Sequence, residues 1–452
     1  MLMQQIADYA IKEQTSKLPD EVIHHAKRAV IDWYAALLPG SIVAPATLLE
    51  QAFADDLDRG KARLARGRRA TVRTAALING AASHSVEFDD IHRDSGYHPG
   101  SPTISAALAT AQGTGATGDQ FLRAVIVGYE TSTRIGEAVM PSHYNFWHTT
   151  GTVGSFGAAA GAATAMRLNR DQFMHSLATV GTFAAGLQQA FLSQAMSKPL
   201  HGGHAADAGV LAAMAASKGV TGALDIIEGK KGFGNAMSVN PDWSKITKGL
   251  GSDYHINVMT FKNHGCCGHT FPSIDGVLAL VQQHNLKAVD IKKITLATYK
   301  AGLDIIDNAT PEGEYQAKFS LQYTVAHALV YGSVRLNAFL PERLKDRAVR
   351  ELMTKVVCVA DPLFSKGYPN QRAAQVDIET VDGRKLSHLQ PHRKGDPEQP
   401  LTDTELNGKF MELSEPVLGD KGAKRLLEQL WMIDKLPSAE FEIISEDARA
   451  SA

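Results

Sequence analysis

Residues 151–166, GTVGSFGAAAGAATAM, consist almost entirely of alanine, glycine and other small residues. Residues 102–111 and 205–216 have a similar composition, and larger apolar residues are interleaved in all three segments. Small residues allow helices to approach one another closely, so this composition predicts helices buried inside a compact bundle. Apolar pairs at helix-like intervals begin at Ile6 and Ala7, and the helical character continues to about Lys262.

The pattern changes after Lys262, where alternating apolar and polar residues predict β-strands. Strands are predicted at 291–299, 355–359 and 374–380, and a turn at 381–384 follows the last strand. Helical patterns cover 272–283, 320–331, 403–413 and 421–432.

These segments predict a mainly α protein with two domains. A large all-helical domain is expected from residues 1–262 with 397–452, and a smaller α+β lid domain from residues 263–396. A cleft between two such domains is a common place for a small-molecule site.

The composition excludes several classes of partner. The 452 residues are 44% hydrophobic and 21% charged with a formal charge of -2, so bulk electrostatics recruits neither nucleic acid nor an anionic membrane. The three cysteines, Cys266, Cys267 and Cys358, form no CxxC pair, which argues against a zinc ribbon or a four-cysteine iron–sulfur cluster. No signal-peptide or membrane-spanning run is evident, and we expect a cytoplasmic protein.

A run of titratable residues, HSVEFDDIHRDSGYHPG, occupies positions 84–100 between apolar helical segments. Positions 84–98 hold three histidines, four carboxylates and one arginine. A solvated surface explains the charges but rarely the His-Pro-Gly ending. General acid–base chemistry needs groups that exchange protons near neutral pH and lie close together, so this run is the first candidate active-site segment.

A second polar run, YNFWHTTG at 144–151, opens a helical segment, with Thr149 or Thr150 as the predicted N-cap. His148 at that helix N-terminus can meet a substrate carboxylate or can be an ordinary buried histidine; the two interpretations are equally supported.

The third run, SKPLHGGH at 197–204, places Lys198 before an apolar helix. Lys198 either reaches solvent, pairs with an anion or has a lowered pKa. His201 and His204 suggest a metal only weakly, because no further ligand spacing completes a set.

Two more runs lie in the predicted smaller domain. Lys262 and His269 flank the glycine-rich sequence NHGCCG, where a catalytic histidine at a hinge is favoured over a zinc site or a cysteine nucleophile. Tyr323 lies on a predicted helix and is either an acid or a buried structural tyrosine.

These five runs, taken in order, resemble the MmgE/PrpD family along nearly the whole chain. The resemblance rests on 84–99, WHTTG at 147–151, KPLHGG at 198–203, Glu228-Gly229 with Gly232-Phe233, Lys262 to His269, and SLQY at 320–323. The family includes 2-methylcitrate dehydratase, cis-aconitate decarboxylase and iminodisuccinate epimerase. The resemblance implies a homodimer that binds a small polycarboxylate and uses neither a metal nor an organic cofactor.

The resemblance also implies a set of site residues. Positions matching the decarboxylase branch are Glu87, Ile91, His98, His148, Lys198, His269 and Tyr323. That branch has Asp in place of Glu87 and Thr in place of Ile91. Arg93 can bind a substrate carboxylate through its two-pronged guanidinium, and Asp90 and Lys262 complete the predicted binding set.

The function predicted from these features is a cofactor-independent lyase, most simply a dehydratase of a methylcitrate-like hydroxy acid. One histidine would take a carbon-bound proton, and a second acid, such as His269 or Tyr323, would protonate the leaving hydroxyl. Alternatives are an epimerase of an imino-dicarboxylate, a cis-aconitate decarboxylase and a catalytically silent carboxylate-binding protein. In each case His98 is expected beside Lys198 and His148.

Overall fold

The computed structural model describes residues 1–193, 195–368 and 370–443. It is mainly helical, as the sequence predicts. The helices are α1 (Leu2–Glu13), α2 (Asp20–Gly40), α3 (Ala46–Ala52), α4 (Val72–Ser83), α5 (Gly100–Thr114), α6 (Gly118–Val139), α7 (Thr149–Ala165), α8 (Arg170–Val180), α9 (Gln189–Leu192), α10 (Ser197–Ser217), α11 (Phe233–Met237), α12 (Ser244–Thr247), α13 (Phe271–His284), α14 (Lys300–Ile306), α15 (Glu314–Lys318), α16 (Leu321–Tyr331), α17 (Pro341–Leu344), α18 (Arg347–Met353), α19 (Pro362–Gly367) and α20 (Asp403–Trp431). The strands are β1 (Leu57–Arg63), β2 (Arg69–Ala70), β3 (Ile291–Thr298), β4 (Val356–Ala360), β5 (Ala374–Thr380) and β6 (Lys385–Gln390).

The chain divides into two compact units. Unit 1 is Met1–Thr260 together with the chain from Thr402 onward, and unit 2 is Phe261–Leu401. Among the described residues, no helix combines the length and the apolar composition needed to cross a bilayer.

Helix α7 lies at the centre of unit 1. All of its residues are buried, and it packs against α5, α6 and α10. Close approach depends on glycine, because a Cβ added to Gly209 on α10 would lie 2.5 Å from the Ala158 Cβ on α7. The prediction from the alanine- and glycine-rich segments is therefore confirmed.

Glycines also join α4 to α10. A Cβ on Gly80 of α4 would lie 2.9 Å from the Gly203 Cα and 3.0 Å from the Gly202 carbonyl oxygen, both on α10. No larger side chain fits at this crossing without moving one helix. The crossing matters because α4 ends at Ser83, immediately before the titratable run, and α10 begins next to Lys198.

Two features of unit 1 go beyond the sequence prediction. The antiparallel hairpin of β1 and β2 adds strands to a domain expected to be all-helical, and it buries Leu57 and Ala62 in the core. The helices predicted at 403–413 and 421–432 form one element, α20, which is interrupted only at Gly419, where φ is 71°. Glycine tolerates that left-handed conformation, so the helix bends there and resumes.

Unit 2 contains a four-stranded sheet in the order β4-β3-β5-β6. Strand β3 pairs in parallel with β4 and antiparallel with β5, and Leu296 lies opposite both Cys358 and Val376. Helices α13 and α16 pack against the sheet, which buries Ile294 and Leu296. The predicted strands and helices of this region are observed within one or two residues of their expected ends.

Candidate active site

The titratable run forms a largely buried loop between α4 and α5 in unit 1. Behind it, the ammonium of Lys409 on α20 donates to the Phe88 carbonyl oxygen at 2.9 Å and to Asp32 Oδ1 at 2.6 Å. Lys409 and Asp32 are both fully buried. This ion pair fixes the backbone of the loop.

The side chain of Asp90 also holds the loop. Its Oδ1 accepts from the Gly100 N–H at 3.0 Å and its Oδ2 from the Tyr129 hydroxyl at 2.8 Å. Burial, and then the nearby Asp32 carboxylate, raise the pKa of Asp90 to about 8. Both Asp90 oxygens already have protein donors, which favours a supporting role over the substrate contact expected from the sequence.

Asp89 lies against two histidines. His84 Nδ1 is 2.6 Å from Asp89 Oδ2, and His98 Nδ1 is 3.3 Å from the same oxygen. An ionised carboxylate only accepts, so the His84 Nδ1–H donates to it.

The tautomer of His98 follows from its contact with the backbone. His98 Nδ1 lies 2.8 Å from the Asp90 carbonyl oxygen, which accepts a hydrogen bond and cannot donate one. Nδ1 therefore carries the hydrogen, and in the neutral ring Nε2 keeps its lone pair. Since the His98 side chain is 18% exposed, this Nε2 is a candidate general base.

His148 begins α7 and contacts His201 on α10. His148 itself is the N-cap of α7, so the predicted N-cap at Thr149 or Thr150 is wrong. The Thr150 side chain instead accepts a hydrogen bond at Oγ1 from the His98 backbone N–H, at 3.3 Å. His148 Nδ1 is 2.9 Å from His201 Nδ1. One ring must donate and the other accept, so the two histidines cannot both be charged in this geometry.

The histidine rings form one cluster. The ring centroids of His84 and His98 are 5.0 Å apart, those of His84 and His148 are 5.4 Å apart and stacked, and those of His148 and His201 are 5.2 Å apart. Burial is the main reason that the pKa of His148 lies well below its usual value and that of His201 falls to about 4, and neighbouring cationic groups lower both further. His148 and His201 are therefore neutral at pH 7.

Lys198 lies in the first turn of α10 and pairs with Glu87. Its ammonium donates to Glu87 Oε1 and lies 5.1 Å from the centre of the Phe191 ring. The Lys198 side chain is 14% exposed and the Glu87 side chain is 23% exposed. Glu87 has a φ of 59°, a left-handed conformation that is strained for a residue with a side chain and is often found at functional sites.

The structure places the remaining predicted residues as follows. Ile91 pairs with Thr260 through two backbone hydrogen bonds of 2.9 Å. Arg93 has its Nε 3.6 Å from Asp94 Oδ1. Burial is the main cause that lowers the pKa of His92 to about 3, and the positive charge of Arg93 lowers it further. Asp94 thus gives Arg93 a carboxylate partner of its own.

The other predicted residues belong to unit 2. Lys262 is buried near the Cys266 thiol, and His269 Nδ1 is 2.7 Å from the Tyr299 hydroxyl. The Tyr323 hydroxyl is fully buried and donates to the Ala338 carbonyl oxygen at 2.5 Å. That bond favours the structural role for Tyr323 over the acid predicted from the sequence.

Among the residues that the structure describes, two groups have ligand atoms close enough for a metal ion. In the first, His84, Asp89 and His98, the 2.6 Å separation is that of a hydrogen bond, since two ligands of one tetrahedral zinc lie about 3.3 Å apart. In the second, the rings of His92 and His255 near Glu137 are stacked within 8° of parallel. Their in-plane lone pairs cannot converge on one ion, so neither geometry favours a metal over hydrogen bonding.

Sequence reasoning missed three members of the cluster as site residues. His84 and Asp89 lie in the titratable run, and His201 lies one turn after Lys198, so each lies within three residues of a predicted one. The useful signal was spacing: Lys198 and His201 are three residues apart and therefore share a helix face.

Comparisons with known proteins identify the family of the chain. Residues 4–246 match the MmgE/PrpD N-terminal domain and residues 264–434 match the MmgE/PrpD C-terminal domain. A cis-aconitate decarboxylase-like protein of Aspergillus oryzae is 27% identical over 93% of this chain and 92% of its own length, and a cis-aconitate decarboxylase of Aspergillus terreus is 24% identical over 96% and 93%. A 2-methylcitrate dehydratase of Salmonella typhimurium is 29% identical over 27% of each chain. With both domain models matched in order, the chain belongs to the MmgE/PrpD family.

Proposed function

We propose that this protein is a lyase that acts on a small hydroxy-polycarboxylate and removes water from it, as a 2-methylcitrate dehydratase does. The observation that carries the proposal is the fixed tautomer of His98, whose Nδ1–H donates to the Asp90 carbonyl oxygen. A histidine held in this way presents a basic Nε2 and is ready to remove a carbon-bound proton.

In the proposed reaction, His98 Nε2 takes the proton from the carbon beside a substrate carboxylate. The electron pair left on carbon spreads into that carboxylate, and the Lys198 ammonium stabilises the growing negative charge. Lys198 is paired with Glu87, so a substrate carboxylate competes with Glu87 for the ammonium.

The leaving hydroxyl needs a proton, and His148 can supply it. When His201 Nδ1 donates to His148 Nδ1, the His148 proton resides on Nε2. A neutral imidazole with a depressed pKa acts as such a donor in other enzymes. The C–H and C–O bonds break, a carbon–carbon double bond forms, and water leaves.

Decarboxylation of cis-aconitate is the second candidate, because the relatives that match over more than nine-tenths of both chains are named for that reaction. Loss of carbon dioxide leaves a carbanion that must receive a proton. Dehydration begins with a base, and the tautomer of His98 presents a basic Nε2, which is why dehydration is the first candidate.

The test is to incubate the protein separately with 2-methylcitrate, cis-aconitate and iminodisuccinate in deuterated water. Dehydration forms an alkene that absorbs in the ultraviolet, decarboxylation releases carbon dioxide, and an epimerase exchanges deuterium without net loss of substrate. His98→Gln should lower turnover about 10²- to 10⁴-fold. His204→Gln, which changes an exposed histidine on α10, is the matched control. Turnover by His98→Gln at the rate of the control would contradict the proposal, and so would a protein inert toward all three acids.

A further inference from the structure

A second group of cationic and aromatic side chains lies in unit 2, around Arg372 in the segment between α19 and β5. Arg372 is half-buried, and its Nη1 is enclosed. Within the parts of the chain that the structure describes, that Nη1 has no hydrogen-bond partner, and Arg372 forms no ion pair with a carboxylate.

The neighbouring Arg393 shows what a satisfied arginine in this unit looks like. It is buried, and its Nε and Nη2 donate to the two carboxylate oxygens of Asp396 at 2.8 and 2.7 Å. Asp396 is thereby occupied, and Arg372 has no equivalent. A guanidinium removed from water without a counter-ion is costly, so a buried donor of this kind points to an anion supplied from outside the chain.

Two tyrosines and a histidine connect to Arg372 through a series of contacts. Its guanidinium carbon lies 5.6 Å from the centre of the Tyr368 ring, which stacks on Tyr299 at 4.8 Å. The Tyr299 hydroxyl is 2.7 Å from His269 Nδ1. When that hydroxyl donates to Nδ1, the His269 hydrogen resides on Nε2, which gives a second donor beside the arginine.

The electrostatics agree with this geometry. Burial, together with Arg372 and Arg393, lowers the pKa of His269 to about 3, and burial and Arg393 lower the pKa of Arg372. Positive charge in this region is thus disfavoured until an anion arrives. A planar carboxylate matches the paired donors of a guanidinium.

We propose that Arg372, with His269, forms a carboxylate-binding site in unit 2. The ligand is a carboxylate group of the polycarboxylate substrate, so the identity of the ligand rests on the function proposed above. Arg372 lies outside every sequence motif that predicted a site residue, and it gives the second unit a binding role.

The experiment measures equilibrium binding of citrate by titration calorimetry, without turnover. Arg372→Gln should weaken citrate binding about 10- to 100-fold, the effect of losing a charged hydrogen-bonded contact. Arg372→Lys should recover part of the affinity. Arg347→Gln is the control, because Arg347 is 90% exposed and lies in the same unit. Thermal unfolding is measured for all variants, and Arg372→Gln should be at least as stable as the wild-type protein, since it removes a half-buried charge that no carboxylate compensates.

Glutarate, which lacks the central carboxylate and hydroxyl of citrate, provides a second arm. Glutarate keeps two carboxylates that Arg372 can receive, so Arg372→Gln should weaken glutarate binding as well if the ligand is a carboxylate. Citrate binding by Arg372→Gln at the wild-type affinity would overturn this inference and leave the proposed function intact. A clear loss of thermal stability in Arg372→Gln would also overturn it, since the arginine would then be structural. A wild-type protein that binds neither acid would contradict both proposals.

Discussion

Two lysine–carboxylate pairs of unit 1 touch the same loop and differ in their surroundings. Lys409 and Asp32 are fully buried, and the ammonium also bonds to the Phe88 carbonyl oxygen. Glu87 lies one residue before Phe88 on the loop, and both Glu87 and its partner Lys198 are partly exposed. A pair sealed from water and tied to the backbone supports the fold, whereas a pair within reach of solvent can exchange its carboxylate for that of a ligand.

Removal of the buried lysine gives the largest expected effect. Lys409→Met leaves Asp32 without the ammonium that compensates its charge, and breaking a buried ion pair costs about 3–5 kcal/mol of unfolding free energy. Urea unfolding measures the change. Lys424→Met, on an exposed lysine of the same helix, should cost less than about 1 kcal/mol. A loss as small as that in Lys409→Met would erase the distinction between the two pairs.

Lys198→Ala should have the opposite profile. Turnover should fall on the order of 10²- to 10³-fold, because a preorganised charge partner for the substrate carboxylate is removed. The unfolding free energy should change by about 1 kcal/mol or less, since the pair is partly exposed. Steady-state kinetics and urea unfolding of one preparation test both statements. Near-native turnover would mean that Lys198 is an ordinary surface lysine.

The histidines beside Lys198 predict a pH dependence of stability. Burial lowers the pKa of His201 to about 4 in the folded protein, whereas the unfolded chain takes up a proton near pH 6.5. His201 therefore stabilises the fold above about pH 6.5, and this contribution is lost as the pH falls toward 4, with a slope of at most about 1.4 kcal/mol per pH unit. His201→Gln should flatten the fall in unfolding free energy between pH 6.5 and 5. The exposed His204→Gln should leave the slope unchanged; equal slopes in all three proteins would rule out this role for His201.

The smallest expected effect concerns the strain at Glu87. Glu87→Gly and Glu87→Ala both remove the carboxylate that pairs with Lys198, but only glycine adopts a φ of 59° without strain. Glu87→Gly should therefore be more stable than Glu87→Ala by about 1 kcal/mol. Chemical unfolding of the two variants side by side isolates the backbone effect. Equal stability would show that the left-handed conformation carries no measurable strain.

Local patterns in the sequence predicted most of the fold. The burial of α7 follows from its small residues, and the strands around Leu296 and Val376 follow from alternation, because both depend only on neighbouring positions. The hairpin beginning at Leu57 was missed, since β1 carries five charged or glycine positions and lacks an apolar alternation.

The candidate site was predictable in part. His98, His148 and Lys198 lie on separate segments of the chain. Predicting that they lie close together required the resemblance to the family as well as the chemistry of their side chains. The pairing of His84 with Asp89 and the isolation of Arg372 depend on how loops fold back on themselves. No periodic pattern encodes such contacts, so they emerge only from the three-dimensional structure.

The glycine crossing of α4 and α10 has a consequence for protein engineering. Gly80 and Gly203 set the spacing between the helix that ends before His84 and the helix that carries Lys198 and His201. A single added methyl group at this crossing would displace both helices and shift the reacting groups on each. Mutagenesis libraries intended to broaden substrate range should therefore hold this glycine pair constant and place their diversity at half-buried positions such as Phe191.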